Sequence, residues 1–288
     1  MNSGWLYTFF ASLGALIISV IFTPLTANLA KRKKILSDPL KVRFYTSRKP
    51  VLGHIVLFIA FFLPMGIAFA SGFFSDEFFY TLSDLHKMTV GLFFSSLFLV
   101  ISATYSDARN DPGDYEWLYI IVSSVMLYFF EVRFRVLYLP FTGEVNLNIW
   151  GLPLLAIWVL LVVSIVELLD FFNGLAGGVI ALVSGIYYLL HKTSGKNELY
   201  TPFFFAVLMG AVAGILFFQI KGPKIQYGKS GNKILGFLFA AGTVISYRKG
   251  TTGQFVIFPI AIFLFIVVTV NFLFLERQHR PNPGTKMR

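Results

Sequence analysis

The residues best suited to chemistry lie in one of the most apolar parts of the chain, between Glu167 and Gly178. This segment contains two carboxylates, Glu167 and Asp170, the amide of Asn173 and a group of glycines. Ionisable residues are costly inside or at the mouth of a membrane segment, so where they occur they usually serve a function. Their spacing of three residues places the three side chains on one face of a helix. The pattern predicts a polar stripe that faces a helix bundle or a membrane surface.

Two further polar segments follow apolar stretches. Lys49 lies in a basic loop, and such groups can hold phosphates. Asp107 and Arg109 lie where a predicted helix meets water. Asp107 could bind a divalent cation, since magnesium is usually held by one or two carboxylates together with substrate phosphates. Each segment also has a simpler interpretation, as a positively charged loop and as a solvated helix end.

A glycine-rich segment precedes another apolar stretch. Gly228, Lys229, Ser230, Gly231 and Asn232 predict a turn before a helix, where backbone N–H groups can bind an anion and Lys229 adds a positive charge. The segment lacks the spacing of a Walker A loop. Its simpler interpretation is a loop with turn glycines.

The composition indicates a polytopic membrane protein. Of 288 residues, 56% are hydrophobic and 13% are charged, whereas soluble domains carry about 25% charged residues. The chain has no cysteine, which excludes a disulfide framework and a thiolate site, and its four histidines are too scattered to favour zinc. The first apolar run is expected to be a retained span. Spans of about 20 residues predict an all-α fold with about nine transmembrane helices, near 5–29, 51–74, 88–105, 116–139, 150–169, 174–191, 201–220, 234–247 and 254–275.

The positive charges predict the orientation of these spans. Most of the 24 Lys and Arg residues fall in the loops after the odd-numbered spans and in the tail 276–288. The positive-inside rule places these loops in the cytoplasm, the N-terminus outside and the tail inside. The net charge of +10 is therefore interpreted as a topology signal and not as nucleic-acid binding. All the polar segments then share the cytoplasmic side, which suggests one site.

Four segments, in order, resemble the motifs of the polyprenyl-phosphate N-acetylhexosamine-1-phosphate transferases (glycosyl transferase family 4), which include the phospho-N-acetylmuramoyl-pentapeptide transferases. Residues 49–54 resemble the family's Pro-x-x-Gly-Gly, and residues 106–109 its Asp-Asp-x-Arg/Lys. Residues 170–178 are similar to Asp-Gly-x-Asp-Gly-Leu-Ala-x-Gly, and residues 223–237 to Gly-Asp-Ser-Gly-Ser followed by Leu-Gly-Phe. The resemblance covers most of a single domain, 1–275, that ends in the basic tail.

The resemblance implies transfer of a sugar-1-phosphate from a UDP-N-acetylhexosamine to a polyprenyl phosphate, in a bacterial-type cytoplasmic membrane. It implies Mg²⁺ bound by Asp107 and Asp170, and it makes a homodimer plausible. Together with the chemistry of the residues, it predicts Asp107, Asp170 and Glu167 as catalytic residues. The predicted substrate-binding residues are Lys49, Arg109, Asn173, Gly228, Lys229, Ser230, Gly231 and Asn232.

The chain departs from the family pattern at the reacting centre. Ser106 replaces the first paired aspartate, and Lys229 replaces an aspartate that binds magnesium in the family. Glu167 and Asn173 replace an asparagine and an aspartate, and the family's His-rich segment has no counterpart. A lysine repels a metal ion, so either magnesium does not bind as in the family or Lys229 partly replaces it. Two alternatives to a transferase remain: a non-catalytic member that binds lipid phosphate or nucleotide sugar or scaffolds envelope enzymes, and a transporter.

Overall fold

The fold is a bundle of apolar helices, seen in a computed structural model of the protein. The structure describes residues 3–32, 53–75, 81–109, 115–139, 143–169, 174–193, 199–220 and 228–247. A short antiparallel hairpin and one turn of 3₁₀ helix, Asn148–Trp150, lie between the fourth and fifth helices. The elements are α1 (Ser3–Arg32), α2 (Gly53–Ala70), α3 (Leu82–Arg109), α4 (Glu116–Phe129), β1 (Val136–Leu139), β2 (Gly143–Asn146), α5 (Gly151–Leu169), α6 (Leu175–Thr193), α7 (Tyr200–Ile220) and α8 (Gly228–Tyr247).

Five of these helices, α1, α2, α3, α5 and α7, are long and apolar enough to cross a membrane, and α4 and α6 are shorter apolar helices. The protein is therefore a polytopic membrane protein with a helical bundle, as the composition predicts. Each of the first eight predicted spans overlaps a helix, although α8 begins at Gly228 and not at 234. The predicted ninth span, 254–275, and the tail 276–288 lie outside the described residues.

The predicted span 116–139 is wrong at its C-terminal end. Helix α4 ends at Phe129, and Glu131 follows with a φ of 69°. The Glu131 carboxylate accepts hydrogen bonds from Arg133 at 3.0 Å and from Arg135 at 2.5 Å. Three charges within five residues are costly in a membrane, so the chain leaves the helix here. It continues into the hairpin, in which Val136 pairs with Asn146.

The helices alternate in direction, so their termini gather at two ends of the bundle. At one end, the start of α2 meets the end of α3 through His54 Nε2 and Thr104 Oγ1, which are 2.9 Å apart. At the opposite end, the start of α1 meets the turn after α2 through a 2.9 Å hydrogen bond between Tyr7 and Ser71. We call the first of these the motif end. It holds the starts of α2, α4, α6 and α8 and the ends of α1, α3, α5 and α7.

Helix α7 is the most buried of the five membrane-length helices, and small residues let α1 approach it closely. Gly210 and Gly214 on α7 lie against Ser12 and Ser19 on α1. The Ser19 hydroxyl donates a 2.8 Å hydrogen bond to the carbonyl oxygen of Ala211. Small residues spaced by four are typical of close helix packing in membranes, where van der Waals contact drives association. This contact holds the first helix against the core.

This packing predicts opposite outcomes for two Gly→Ala substitutions. A Cβ atom at Gly210 would lie 2.2 Å from the backbone oxygen of Ser12, whereas Gly66 on α2 has open space around it. We expect Gly210→Ala to destabilise the protein by about 1–3 kcal/mol. Gly66→Ala is expected to leave stability unchanged or to raise it slightly, because alanine favours the helix. Thermal unfolding of the detergent-purified variants measures both, and equal melting temperatures would contradict the packing.

Candidate functional site

A buried cluster of polar side chains joins three helix termini at the motif end. Ser106 lies at the end of α3, Glu116 begins α4, and Lys233 lies in the second turn of α8. Ser106 Oγ donates a 3.1 Å hydrogen bond to Glu116 Oε1. Lys233 Nζ donates a hydrogen bond to Glu116 Oε2, which forms a salt bridge. We call these three residues the Ser106–Glu116–Lys233 cluster.

The cluster is buried, and each buried charge in it needs a compensating partner. Glu116 is 9% exposed and Lys233 is 6% exposed. Removing an ion from water costs several kcal/mol, and only a well-placed partner with additional hydrogen bonds offsets that cost. Both oxygens of Glu116 are engaged, one by the ammonium and one by the serine hydroxyl. The cluster therefore fixes the starts of α4 and α8 relative to the end of α3.

Local helix structure supports the position of Glu116. This residue lies in the first turn of α4, where the positive end of the helix dipole favours a negative charge. Lys233 is carried by α8 in an otherwise buried stretch of that helix. The sequence thus supplies one charge to each of two helices that must meet.

The start of α2 contacts the end of α3 close to this cluster. Thr104 Oγ1 donates a 2.7 Å hydrogen bond to the carbonyl oxygen of Val100. Thr104 Oγ1 also lies 2.9 Å from His54 Nε2, within hydrogen-bonding distance. The contact places His54, at the start of α2, against a residue two positions before Ser106.

The glycine-rich segment forms the first turn of α8 itself, and the predicted turn before a helix is wrong. Gly228, Lys229, Ser230, Gly231 and Asn232 are all helical. The first backbone N–H groups of a helix have no partner within that helix, so the predicted capacity to bind an anion is retained. Among the described residues, Ser230 Oγ and Asn232 Oδ1 are buried and have no hydrogen-bond partner.

The other predicted site residues are described to different extents. Glu167 is half-buried in the last turn of α5. Asp107 and Arg109 belong to the last turn of α3, beside Ser106, and their side chains lie outside the described part of the structure. The same holds for the side chain of Lys229 at the start of α8. Lys49, Asp170 and Asn173 lie outside the described residues altogether, so the predicted polar stripe stays a prediction.

Sequence reasoning missed Glu116 and Lys233 as site residues. A signal was present for both. Lys233 is an ionisable residue at the start of an apolar stretch, four positions after Lys229, and Glu116 opens another apolar stretch. Ionisable residues in such positions are usually paired with one another. The sequence does not state which residue pairs with which, because the two lie 117 positions apart.

The predicted magnesium site stays a prediction, because the side chains of Asp107 and Asp170 lie outside the described part of the structure. The described residues contain no group of three or more His, Cys, Asp or Glu side chains. The one acidic side chain of the Ser106–Glu116–Lys233 cluster already binds an ammonium and a hydroxyl. Magnesium needs oxygen ligands in a nearly octahedral arrangement, and an adjacent ammonium repels it. We derive no step through a metal ion from these residues.

Comparison with known proteins identifies the family. The sequence model of Glycosyl transferase family 4 matches residues 58–247, which is most of the chain. The protein therefore belongs to glycosyl transferase family 4. All four helix termini described above, from α2, α3, α4 and α8, belong to or border this matched region.

Individual relatives are distant. A probable undecaprenyl-phosphate N-acetylglucosaminyl 1-phosphate transferase of Bacillus subtilis is 21% identical over 270 residues, which cover 93% of this chain and 71% of that protein. The phospho-N-acetylmuramoyl-pentapeptide-transferase of Clostridioides difficile is 30% identical over 111 residues, or 38% of this chain and 34% of the relative. The enzyme of the same name from Chloroflexus aurantiacus is 24% identical over 133 residues, or 46% and 35%.

The buried ion pair predicts strong coupling between two substitutions. Lys233→Met leaves the Glu116 carboxylate buried without its ammonium, so we expect it to destabilise the protein by about 3–5 kcal/mol. The double variant Glu116→Gln/Lys233→Met removes both charges and is expected to recover most of that loss. Thermal unfolding of the two single variants and the double variant gives the coupling energy. Additive effects of the two substitutions would contradict a buried pair.

Proposed function

We propose that the protein is a membrane transferase that moves a sugar-1-phosphate from a UDP-N-acetylhexosamine to a polyprenyl phosphate and so begins a lipid-linked glycan. An oxygen of the lipid phosphate attacks the β-phosphorus of the nucleotide sugar. The bond from this phosphorus to the oxygen that bridges it to the α-phosphate breaks, and UMP leaves. Family membership and the similarity to the relative from Bacillus subtilis support this reaction class.

The observation that carries the proposal is the meeting of three separated motif segments at one end of the bundle. The contact of His54 with Thr104 joins the start of α2 to the segment at the end of α3. The Ser106–Glu116–Lys233 cluster joins the end of α3 to the segment that begins α8. A reaction between two phosphate substrates needs such convergence, because holding both reactants in place supplies much of the rate enhancement.

The motif end is proposed to face the cytoplasm of a cytoplasmic membrane. The loops at this end carry most of the Lys and Arg residues of the chain, and positive loops remain inside. The N-terminus is then outside, the segment 254–275 is a ninth span, and the tail 276–288 is cytoplasmic. Nucleotide sugars of the UDP class are cytoplasmic substrates, which agrees with this orientation. A single domain, 1–275, carries the activity, and we expect a homodimer.

Within this site, acidic and basic residues have separate proposed roles. Asp107, Asp170 and Glu167 form the acidic centre. Residues 228–232 at the start of α8 bind diphosphate, with Lys229 as a fixed positive charge. Further contacts to substrate come from the basic loop, the end of α3 and the segment after α5, through Lys49, Arg109 and Asn173.

A second candidate function is binding without transfer. Ser106 stands where the family resemblance places an aspartate, and its hydroxyl is already used by Glu116. A serine in this position removes a carboxylate from the reacting centre, which favours a member that binds lipid phosphate or nucleotide sugar or that scaffolds envelope enzymes.

A transfer assay distinguishes the two candidates. We expect purified protein with undecaprenyl phosphate and radiolabelled UDP-N-acetylglucosamine to yield a labelled lipid and UMP. Asp107→Asn removes a charge from the acidic centre and is expected to lower the rate by about 100-fold or more. Asp84→Asn is the matched control, because Asp84 lies in the first turn of α3, at the opposite end of the bundle.

Failure of the assay has a defined meaning. No product with any of several UDP-sugars, combined with measurable binding of undecaprenyl phosphate, would exclude the transferase and select the second candidate. Equal rates for Asp107→Asn and the wild-type protein would remove Asp107 from the acidic centre.

A substitution at Lys229 tests its proposed place in the site. Lys229→Asp restores the carboxylate that the family pattern has at this position and removes a repelling ammonium. We expect this variant to gain Mg²⁺ binding in isothermal titration calorimetry relative to the wild-type protein. Lys87→Asp, at the opposite end of the bundle, is the control and is expected to gain none. Equal Mg²⁺ binding by both variants would contradict the placement of Lys229.

A further inference from the structure

We propose that the Lys233 ammonium binds the phosphate of a substrate and that Glu116 is its exchangeable counter-ion. Phosphate binding at this site then does not require magnesium. The inference relies on the proposed function for the nature of the ligand. It adds two binding residues that the family resemblance does not supply, and it assigns them opposite effects on anion binding.

The first argument is the unused hydrogen-bonding capacity of Lys233. An ammonium group has three N–H donors. Among the described residues, Nζ of Lys233 has one hydrogen-bond partner, Glu116. Two donors of a side chain that is 6% exposed are therefore available. A buried charged group with incomplete hydrogen bonding is costly, and a phosphate oxygen would complete its coordination.

The second argument is the surroundings of Lys233 on α8. Ser230 precedes it by three positions, which places the two residues on one face of the helix. Ser230 is 1% exposed, and its hydroxyl has no partner among the described residues. The start of α8 adds backbone N–H groups that have no partner within the helix. Hydroxyl, ammonium and backbone donors together suit a phosphate group.

The third argument is that Glu116 keeps the cation neutralised without blocking exchange. The carboxylate carries one negative charge, whereas a phosphate monoester carries about 1.5–2 negative charges at pH 7. An arriving phosphate therefore attracts Lys233 more strongly than Glu116 does. Ser106 Oγ still donates to Glu116 Oε1, so the carboxylate keeps one hydrogen bond when the ammonium turns to the ligand.

The arrangement also explains how the site functions with its altered residues. In a transferase that joins two anions, positive charge reduces their repulsion and stabilises charge that develops in the transition state. A metal ion is one source of that charge, and a fixed ammonium is another. The positive charge of Lys233 is part of the protein and needs no bound ion, and this ammonium disfavours a divalent cation beside it.

The shared ligand chemistry is a phosphate group, which can come from the lipid phosphate or from the diphosphate of the nucleotide. The experiment therefore uses two probes with full-length protein in lipid nanodiscs. One arm titrates UDP by isothermal titration calorimetry, in EDTA and in MgCl₂. The other arm measures the thermal shift produced by undecaprenyl phosphate incorporated into the nanodiscs, in the same two buffers. The arm that responds identifies the source of the phosphate.

Four variants separate a binding role from a structural one. We expect Glu116→Gln to tighten phosphate binding in EDTA, because it removes the competing negative charge. We expect Glu116→Gln/Lys233→Met to weaken binding by about tenfold or more, the value of a charge-assisted hydrogen bond. Glu116→Gln/Lys233→Arg retains a cation and is expected to restore binding. Lys87→Met removes an exposed lysine at the opposite end of the bundle and is expected to change nothing.

The outcomes distinguish this inference from the proposed function. Binding of either probe in EDTA, with the opposite effects of the variants, supports the inference even if no transfer is observed. Transfer activity with probe binding only in MgCl₂ overturns the inference and leaves the proposed function in place. Loss of binding in both Glu116→Gln and the double variant, in proportion to their loss of thermal stability, shows a purely structural salt bridge and also overturns it. Absence of probe binding in both buffers also overturns the inference.

Discussion

The structure depends on one constraint: a carboxylate and an ammonium are buried together among apolar helices, and each needs a compensating partner. Separating Glu116 from Lys233 with no replacement partner would leave buried charge uncompensated. The pair therefore forces the start of α4 to meet the start of α8. Ser106 extends this contact to the end of α3, and the contact of His54 with Thr104 extends it to α2. The polar contacts at the motif end are thus connected to this pair.

The rest of the bundle is held by a different kind of interaction. Helix α7 is packed on most sides, and Gly210 and Gly214 bring α1 against it at backbone distance. Such contacts depend on shape and not on charge, and they tolerate no added volume. The two kinds of contact have different roles. Shape complementarity determines how the helices pack along their length, whereas the ion pair determines which termini meet at the motif end.

Membership of glycosyl transferase family 4 and the altered centre are compatible in physical terms. The family reaction brings two anions together, so the site requires positive charge from some source. This chain replaces acidic residues of the family pattern by Ser106 and Lys229 and buries Lys233 nearby. The replacements at Ser106 and Lys229 shift the local charge in the positive direction, whereas Glu167 in place of an asparagine shifts it in the negative direction. In the proposed site, the cation belongs to the fold and supplies affinity for phosphate both in a transferase and in a member that only binds.

The sequence by itself determined the membrane class, the positions of eight helices and the family, because these follow from hydropathy and from short local motifs. It also predicted which segments carry the site, and that stays a prediction. It misplaced the end of α4, where the ion pairs of Glu131 favour a hairpin, and it did not identify Glu116 and Lys233 as partners. Only the tertiary structure decided that pairing, because a contact across 117 positions depends on how whole helices pack and leaves no local pattern in the chain.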